Sequence, residues 1–331
     1  MNWQRKHGRR DLPWQATRDP YRIWLSEVML QQTQVSAVIP YYERFLRRFP
    51  DVSSLASASE EQVLELWAGL GYYARGRNLH AAARIIAEKG FPATAAAIAE
   101  LPGVGRSTAA AIAAFAFSSR AAILDGNVKR VLARCFAVEG DEKELWQLAE
   151  RLLPRQHIET YTQALMDLGA TVCARRKPRC DACPVARRCL ARKHGRIDEL
   201  PAARPRKPLP QKRVTWLVLR HGGEILLEKR PAPGIWGGLW SFPEAPAKHL
   251  ENYCRTALGC EVQSMKELAA LEHGFTHFRL RIRPLLCEVA GKAPRAESAG
   301  RLWIDMADAS GAAVPTPVRN LLARLVFSDE C

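Results

Sequence analysis

The sequence predicts two domains, an all-α domain followed by a smaller α+β domain. The chain has 331 residues, and at about 100–200 residues per domain that length suits two domains. Ala- and Leu-rich segments with helical periodicity fill residues 1–200, whereas short alternating runs dominate residues 214–331. Between them, residues 201–213 hold four prolines and five basic residues without an acid, a composition typical of an interdomain linker.

The periodicity of apolar residues places the individual elements. Ser59 and Gln62 have the spacing of a capping box, which predicts that a helix begins there. In the second domain we predict strands over 213–220, 224–229 and 278–283 and helices over 250–258 and 317–326. The helical segments predicted in the first domain lie around residues 22–47, 59–68, 75–89, 94–100, 107–117, 127–138, 143–153 and 159–170.

The net charge indicates the kind of partner. The chain has 49 Lys and Arg residues against 34 Asp and Glu residues, giving a charge of +15, which favours a polyanion such as nucleic acid. The longest apolar run, 109–117, is about half of the roughly 18 residues that a membrane span requires. No apolar segment follows the basic N-terminus, so we expect a cytoplasmic protein, associated with the nucleoid through DNA, and no membrane partner.

Four of the nine cysteines lie in the loop 173–189 with the spacing C-x6-C-x2-C-x5-C. Four thiolates in one basic loop can enclose either a tetrahedral zinc ion or an iron–sulfur cluster. Zinc sites usually contain two close cysteine pairs, whereas this loop has one, and six nearby basic residues would offset the negative charge of a cluster. The composition therefore favours iron–sulfur for the candidate ligands Cys173, Cys180, Cys183 and Cys189.

A glycine-rich turn separates two predicted helices at 101–109. Gly103 and Gly105, on either side of Val104, allow positive φ angles and leave unpaired N–H groups at the start of the next helix. Such a hairpin can bind a DNA phosphate. An ordinary turn between helices would have the same composition.

Two carboxylates are candidates for catalysis. Glu27 lies on a predicted helix with Ile23, Trp24 and Leu30 as apolar neighbours. Desolvation would raise its pKa towards the range in which it could donate a proton near neutrality. Asp125 precedes a predicted helix, and its role could be that of an N-cap and nothing more. In the same way, Glu27 could be a structural ion-pair partner.

The first domain contains a set of short motifs, namely Leu12-Pro-Trp14, Ser26-Glu-Val-Met-Leu-Gln-Gln-Thr-Gln-Val35, Gly69-Leu-Gly-Tyr-Tyr73, Leu101-Pro-Gly-Val-Gly105, Leu124-Asp-Gly-Asn-Val-Lys-Arg130 and the cysteine loop. Taken together, these motifs resemble the MutY-type adenine DNA glycosylases of the helix-hairpin-helix superfamily. The resemblance extends over nearly the whole chain, because residues 236–244 and 273–278 are similar to the Nudix-related C-terminal domain of that family.

The resemblance implies base excision repair, in which a monomeric enzyme hydrolyses the N-glycosidic bond of adenine opposite 8-oxoguanine or guanine in duplex DNA. It implies a 4Fe-4S cluster in the cysteine loop. Glu27 would protonate the flipped adenine, Asp125 would stabilise the oxocarbenium-like sugar or bond to it, and Asn127 would support the site.

The resemblance also assigns the substrate-binding residues. Tyr72 would intercalate beside 8-oxoguanine, a role that its glycine-flanked position suits, although core packing would suit it equally. Many relatives have Ser where this chain has Thr276, and either hydroxyl can bond to a modified base. The implied residues are Trp14, Leu30, Val35, Gln163 and Asp167 around adenine, Gln32, Thr33 and Leu70 on the lesion strand, and Phe275, Thr276 and His277 at 8-oxoguanine.

Two other functions have weaker support. A bifunctional glycosylase/lyase resembling endonuclease III would need a nucleophilic lysine just after the hairpin, where this chain has Ser107, which we place among the substrate-binding residues. A Nudix pyrophosphatase would need a cluster of acids to hold Mg²⁺, and the predicted helix over 250–258 contains only Glu251. The second domain is therefore predicted to be a binding module.

Overall fold

The computed structural model describes residues 1–202, 208–231, 234–246, 248–292, 298–309 and 311–329. It confirms the predicted fold class, helices first and a sheet with helices second. Two compact units form. The helical unit comprises Met1–Ala58 and Ala74–Pro205, and the sheet unit comprises Ser59–Tyr73 and Arg206–Cys331. None of the helices in the described ranges is both long and apolar enough to cross a membrane.

The α-helices are numbered in chain order. Short π-helical turns also occur at Leu168–Val172 and Cys254–Leu258, and 3-10 turns at Cys180–Ala182 and Ala186–Arg188. The α-helices are α1 (Asn2–His7), α2 (Pro20–Leu30), α3 (Val35–Arg48), α4 (Val52–Ser57), α5 (Glu60–Trp67), α6 (Ala74–Lys89), α7 (Ala95–Ala99), α8 (Arg106–Phe117), α9 (Gly126–Phe136), α10 (Glu142–Arg151), α11 (Ile158–Asp167), α12 (Leu190–Lys193), α13 (Leu250–Tyr253), α14 (Met306–Ala309) and α15 (Thr316–Asp329).

In the helical unit, a core of small and branched side chains packs α8 against α9. Ala110 and Ala111 on α8 contribute to the same buried cluster as Val128 and Leu132 on α9. Alanines allow the two helices to approach closely, so the N-terminus of α9 is fixed by packing rather than by its own propensity. This packing holds Asp125 in place.

The helix predicted over 22–47 is in fact two helices, α2 and α3. Gln32 has a φ of +56°, which ends α2 because a left-handed residue cannot continue a right-handed helix. The buried guanidinium of Arg75 donates to the backbone carbonyls of Val28 (3.0 Å) and Met29 (2.8 Å), satisfying groups that the end of α2 leaves unpaired. Periodicity alone cannot show this break, because Arg75, which stabilises it, lies 42 or more residues further along the sequence.

In the residues that the structure describes, the sheet unit contains eight strands with the central order β3-β2-β1-β7-β5, with β4, β6 and β8 pairing with β1, β7 and β2. The two central strands, β1 and β7, run parallel, and all other pairs are antiparallel. The strands are β1 (Gln211–His221), β2 (Glu224–Lys229), β3 (Trp240–Ser241), β4 (Glu244–Ala245), β5 (Cys260–Glu267), β6 (Leu271–Gly274), β7 (Arg279–Lys292) and β8 (Arg301–Asp305).

The sequence underestimated the length of the two central strands. β1 begins at Gln211, inside the predicted linker 201–213, because Gln211 already pairs with Arg279 of β7. The linker residues 203–207 lie outside the described ranges. β7 runs to Lys292 instead of ending at 283, since its second half is buried on the core side and pairs with β5. Both differences arise from pairing between distant segments.

Residues 59–73 belong to the sheet unit, although the sequence predicted a continuous first domain over 1–200. The predicted capping box of Ser59 and Gln62 is confirmed at the start of α5. Glu61 then accepts a hydrogen bond from the indole N–H of Trp240 (2.7 Å) and pairs with Lys229 (3.3 Å). These contacts join a short segment from the first third of the chain to the strands of the sheet unit.

Candidate active site

A cavity of about 1760 Å³ lies in the helical unit. The loop after α2, the starts of α8 and α9, and residues 9–18 all contribute to its wall. Such a volume exceeds that of most small-molecule sites and suits part of a polymer. Ten of the candidate residues line it, namely Trp14, Glu27, Leu30, Gln32, Thr33, Val35, Ser107, Asp125, Asn127 and Gln163.

Glu27 is the candidate proton donor in this cavity. It retains some exposed surface, yet Ile23, Trp24 and Val28 beside it on α2 are buried. Among the described residues, none donates a hydrogen bond to its carboxyl group or forms an ion pair with it. Burial, and to a smaller extent the charge of Asp125, raises the pKa of Glu27 to about 8. The group therefore holds its proton at neutral pH.

Asp125 is the second carboxylate, and its surroundings are polar. It is the N-cap of α9, where Oδ1 accepts hydrogen bonds from the backbone N–H groups of Asn127 (3.0 Å) and Val128 (2.7 Å). Oδ2 accepts a further bond from the side-chain amide of Asn127 (3.3 Å). These donors and the positive end of the helix dipole favour a negative charge at this position.

Asn127 is itself held by a partly buried network. Its Oδ1 accepts from Arg130, whose guanidinium also donates to the carbonyls of Cys173 (2.7 Å) and Gly169 (2.6 Å). Gly169 has to be glycine here, because a Cβ atom would lie 2.6 Å from the Cβ of Asn127. The amide that supports Asp125 is therefore fixed from two sides.

Ser107 is the second residue of α8, and its hydroxyl group forms a hydrogen bond with the backbone. The Oγ atom accepts a hydrogen bond from the N–H of Leu124 (3.0 Å), the residue before Asp125. The position that would carry a nucleophilic lysine in a lyase thus carries a group that fixes the approach to α9.

Asp167 does not reach the cavity wall, contrary to its predicted place around adenine. It is fully buried behind the wall, where Oδ1 accepts from Arg9 (2.7 Å) and from the side chain of Gln163 (2.9 Å). The backbone N–H of Arg9 also donates to Oδ2 (3.1 Å). A buried carboxylate needs such partners, so Asp167 orients Gln163 and Arg9, which do line the cavity.

The hairpin 101–105 joins α7 to α8 as predicted. Gly103 has a φ of +76°, and a Cβ atom there would lie 2.8 Å from the Cβ of Asn78. Gly105 caps α8 without a side-chain bond, so backbone N–H groups at the helix start remain available to an anion. Gln31 donates to the carbonyl of Gly103 (3.3 Å) and thereby links the hairpin to the end of α2.

The four clustered cysteines line one small, mainly apolar cavity, together with Cys135. None of the five forms a disulfide with another described residue. Arg134 is buried here and donates to the sulfur of Cys173 (3.4 Å), while its carbonyl accepts from the thiol of Cys189 (3.4 Å). Burial raises the pKa of Cys180 and of Cys183. Within the described residues, no three His, Cys, Asp or Glu side chains converge on a point that could hold a single metal ion.

In the sheet unit, aromatic packing fixes the loop between β6 and β7. The ring of Phe275 stacks on Phe278 (4.4 Å between centroids) and lies 5.6 Å from Trp236. Thr276 and His277 remain exposed at the tip, with Thr276 Oγ1 3.3 Å from His277 Nδ1. The loop therefore presents a hydroxyl and an imidazole on a rigid base.

Tyr72 and Leu70 also belong to the sheet unit, in the loop that follows α5. Tyr72 is 46% exposed and has a φ of +49°, between the positive-φ glycine Gly71 and Tyr73. Leu70 is buried. Tyr72 is thus a large aromatic side chain that is not packed in the core, and its role as a wedge stays a prediction.

Comparison with known proteins decides the family. Residues 25–155 match the model of the HhH-GPD superfamily of base excision DNA repair proteins, and residues 214–324 match that of the NUDIX domain. The adenine DNA glycosylase of Buchnera aphidicola subsp. Baizongia pistaciae is 34% identical over 98% of this chain and 95% of its own length. This chain belongs to the adenine DNA glycosylase family. The human adenine DNA glycosylase is also 34% identical, over 95% of this chain and 71% of its own.

As a member of the adenine DNA glycosylase family, the chain is a DNA repair enzyme that acts on N-glycosyl bonds. Its helical part is similar to a solved thermostable thymine-DNA glycosylase, with a TM-score of 0.54 and 32% identity over 57% of this chain and 91% of the other. The predicted resemblance to the MutY-type family is thus confirmed.

Sequence reasoning missed several basic residues of the cavity wall. Arg10 lies in the N-terminal segment, whereas Lys129 and Arg130 are adjacent on α9. The last two belong to the motif Leu124–Arg130, but no role was predicted for them, and the net charge of +15 was the only signal for Arg10. Together these residues give the cavity a positively charged wall, which suits a polyanion.

Proposed function

We propose that the enzyme hydrolyses the N-glycosidic bond of adenine opposite 8-oxoguanine or guanine in duplex DNA and leaves the abasic strand intact. The observation that carries this proposal is the pair of carboxyl groups on one cavity wall. Glu27 lies in apolar surroundings that keep its proton, and Asp125 accepts three N–H bonds that favour its charge. Cleavage of an N-glycosidic bond needs one acid and one carboxylate of this kind.

In this mechanism the target adenine first leaves the base stack, because its ring atoms cannot be reached inside a duplex. Glu27 then donates its proton to a ring nitrogen of adenine. The bond between sugar and base breaks, and its electron pair stays with the protonated base. Asp125 stabilises the positive charge that develops on the sugar, through its field or through a bond to the sugar carbon. Water finally adds to that carbon, displacing Asp125 if the two are bonded, and the proton that the water loses returns to the Glu27 carboxylate.

The loop between β6 and β7 is the proposed reader of the opposing base. Thr276 and His277 offer the polar groups that can bond to 8-oxoguanine, with Phe275 as their packed base. Tyr72 would enter the stack beside the lesion, and Leu70 would contact the same strand together with Gln32 and Thr33. We propose that the enzyme acts as a monomer on its duplex.

The reaction is tested with three duplexes that carry adenine opposite 8-oxoguanine, guanine or thymine. We expect single-turnover excision to be fastest opposite 8-oxoguanine and undetectable opposite thymine. The strand should break only after heat or alkali, because Ser107 offers no amine for a Schiff base. Spontaneous strand cleavage, with a borohydride-trapped adduct, would instead support a lyase that resembles endonuclease III.

We also propose that Cys173, Cys180, Cys183 and Cys189 hold a 4Fe-4S cluster. A zinc ion would need all four sulfurs at about 2.3 Å from one point. A four-iron cubane takes each thiolate at a different corner, and the four cysteines line one small cavity that could enclose such a cluster. When bound, the cluster supplies a rigid base for the loop, whose Arg175, Arg176 and Lys177 line the catalytic cavity.

Metal analysis should find about four irons per chain and no stoichiometric zinc. Cys183→Ser should lose the iron absorption and lower the thermal stability, because a ligand is removed. Cys135→Ser is the matched control, since Cys135 lines the same cavity but lies outside the four-cysteine motif. One zinc per chain, or equal iron loss in both variants, would contradict the proposal.

The rate of excision should depend on pH through Glu27. The reaction needs its protonated form, so kcat/KM should be insensitive to this group well below pH 8 and fall about tenfold per pH unit above it. DNA binding measured over the same range separates this effect from loss of affinity. A rate that rises as the pH is raised through 8 would show that Glu27 acts as a base.

A further inference from the structure

Three arginines alternate along the first half of β7. Arg279, Arg281 and Arg283 are exposed, whereas Leu280 and Ile282 between them are buried. Alternate residues of a strand point to the same face of the sheet. The three guanidinium groups therefore share one face, and neighbouring members are about 7 Å apart along the strand.

The neighbouring strand adds a fourth arginine in register. Arg213 of β1 lies directly opposite Arg281 of β7. Like charges in this position destabilise a sheet. Arg283 is neutralised by Glu267 (2.6 Å), but Arg213, Arg279 and Arg281 form no ion pair with any side chain that the structure describes. Even Glu272, which lies opposite Arg281 on β6, does not pair with it.

Among the described residues of the sheet unit, no helix contributes to a buried cluster at this end of the sheet face, where the arginines are exposed. Further along β7 the same face is packed under α13 and the turn after it, where Leu285, Cys287 and Val289 enter a buried cluster. The arginines lie before that cluster, immediately after the loop with Thr276 and His277. Arg279 pairs with Gly274, so these two residues flank the loop. A ligand at the loop tip would extend over the arginines.

We propose that Arg213, Arg279 and Arg281 form a binding face for the backbone phosphates of duplex DNA. Guanidinium groups match phosphate oxygens in a bidentate manner, and an anion between them would remove the repulsion of the Arg213–Arg281 pair. The proposal rests on the proposed function, in that the adjacent loop is taken to face the lesion strand. The arginines would position the duplex, and the loop would read its base.

The test compares R279Q/R281Q with the matched control R283Q, whose arginine is on the same strand but already paired with Glu267. Affinity for an undamaged duplex is measured between 50 and 200 mM salt. Each phosphate contact contributes about −0.9 to the slope of log K against log salt. Raising the salt from 50 to 200 mM should therefore weaken DNA binding by the double variant by a factor about 12-fold smaller than for the wild type. For R283Q this factor should differ from that of the wild type by less than 2-fold.

An unchanged slope in R279Q/R281Q, or an equal change in R283Q, would overturn the proposal. If the true partner of this face were an acidic protein, the slope for DNA would be unchanged in R279Q/R281Q. If a thermal melt shows that the double variant does not fold, the single variants R279Q and R281Q are used. Each should reduce the factor by which salt weakens DNA binding by about 3-fold. His277→Ala separates this proposal from the proposed function, because it should alter the preference for 8-oxoguanine and leave the salt slope unchanged.

Discussion

Glu27→Gln should abolish adenine excision while leaving the binding of duplex DNA intact. Glutamine has nearly the same shape and can stay in the apolar surroundings of the cavity, but it cannot donate a proton to a leaving base. General acid catalysis contributes about 10²–10⁴-fold to such reactions, so the single-turnover rate should fall by at least about 100-fold. The measurement is excision of adenine opposite 8-oxoguanine at saturating enzyme.

A stability measurement provides the control for this variant. The folded pKa of Glu27 is about 8, above its ordinary value of 4.5, so the folded state binds an extra proton between these pH values. The contribution of Glu27 to the free energy of unfolding is therefore full below pH 4.5 and is lost as the pH rises towards and through 8. Glu27→Gln should gain thermal stability over wild type at pH 8 and little at pH 5. A near-normal excision rate in a stably folded variant would remove Glu27 from the mechanism.

The sequence predicted those parts of the site whose physics is local. The apolar neighbours of Glu27 lie within one helical turn, and Asp125 caps the helix that directly follows it. Both properties can be read from adjacent residues. The roles of Ser107 and Asp167 could not, because their partners, Leu124 and Arg9, are distant in sequence. Their surroundings exist only after the helices have packed.

The same distinction explains the differences in the fold. The predicted strand over 224–229 is correct because its apolar run is bounded by a Gly-Gly turn. The association of α5 with the sheet unit depends on Glu61 and Trp240, which are 179 residues apart. The sequence of α5 has helical periodicity whichever unit it packs against. Only the residues that Glu61 contacts identify the unit to which α5 belongs.

Asp125→Asn should reduce excision by about 10²–10³-fold without loss of stability. Asparagine is as good an N-cap as aspartate, and its Oδ1 atom can accept the same bonds from the N–H groups of Asn127 and Val128. The substitution therefore keeps both backbone bonds of the cap and removes the charge, at the cost of the 3.3 Å bond from the Asn127 side chain to Oδ2. If Asp125 only capped α9, the variant would excise adenine at the wild-type rate.

Asp125→Ala completes the comparison, because it removes both the cap and the charge. It should lower the free energy of unfolding by about 1 kcal/mol relative to Asp125→Asn, while its excision rate should be as low as that of the asparagine variant. Equal rates in wild type and Asp125→Asn, with a fall only in Asp125→Ala, would assign Asp125 to the fold rather than to the chemistry. If Asp125→Asn instead loses activity at full stability, the reaction requires the negative charge itself. The substitution conserves the shape of the side chain and the backbone hydrogen bonds of the cap.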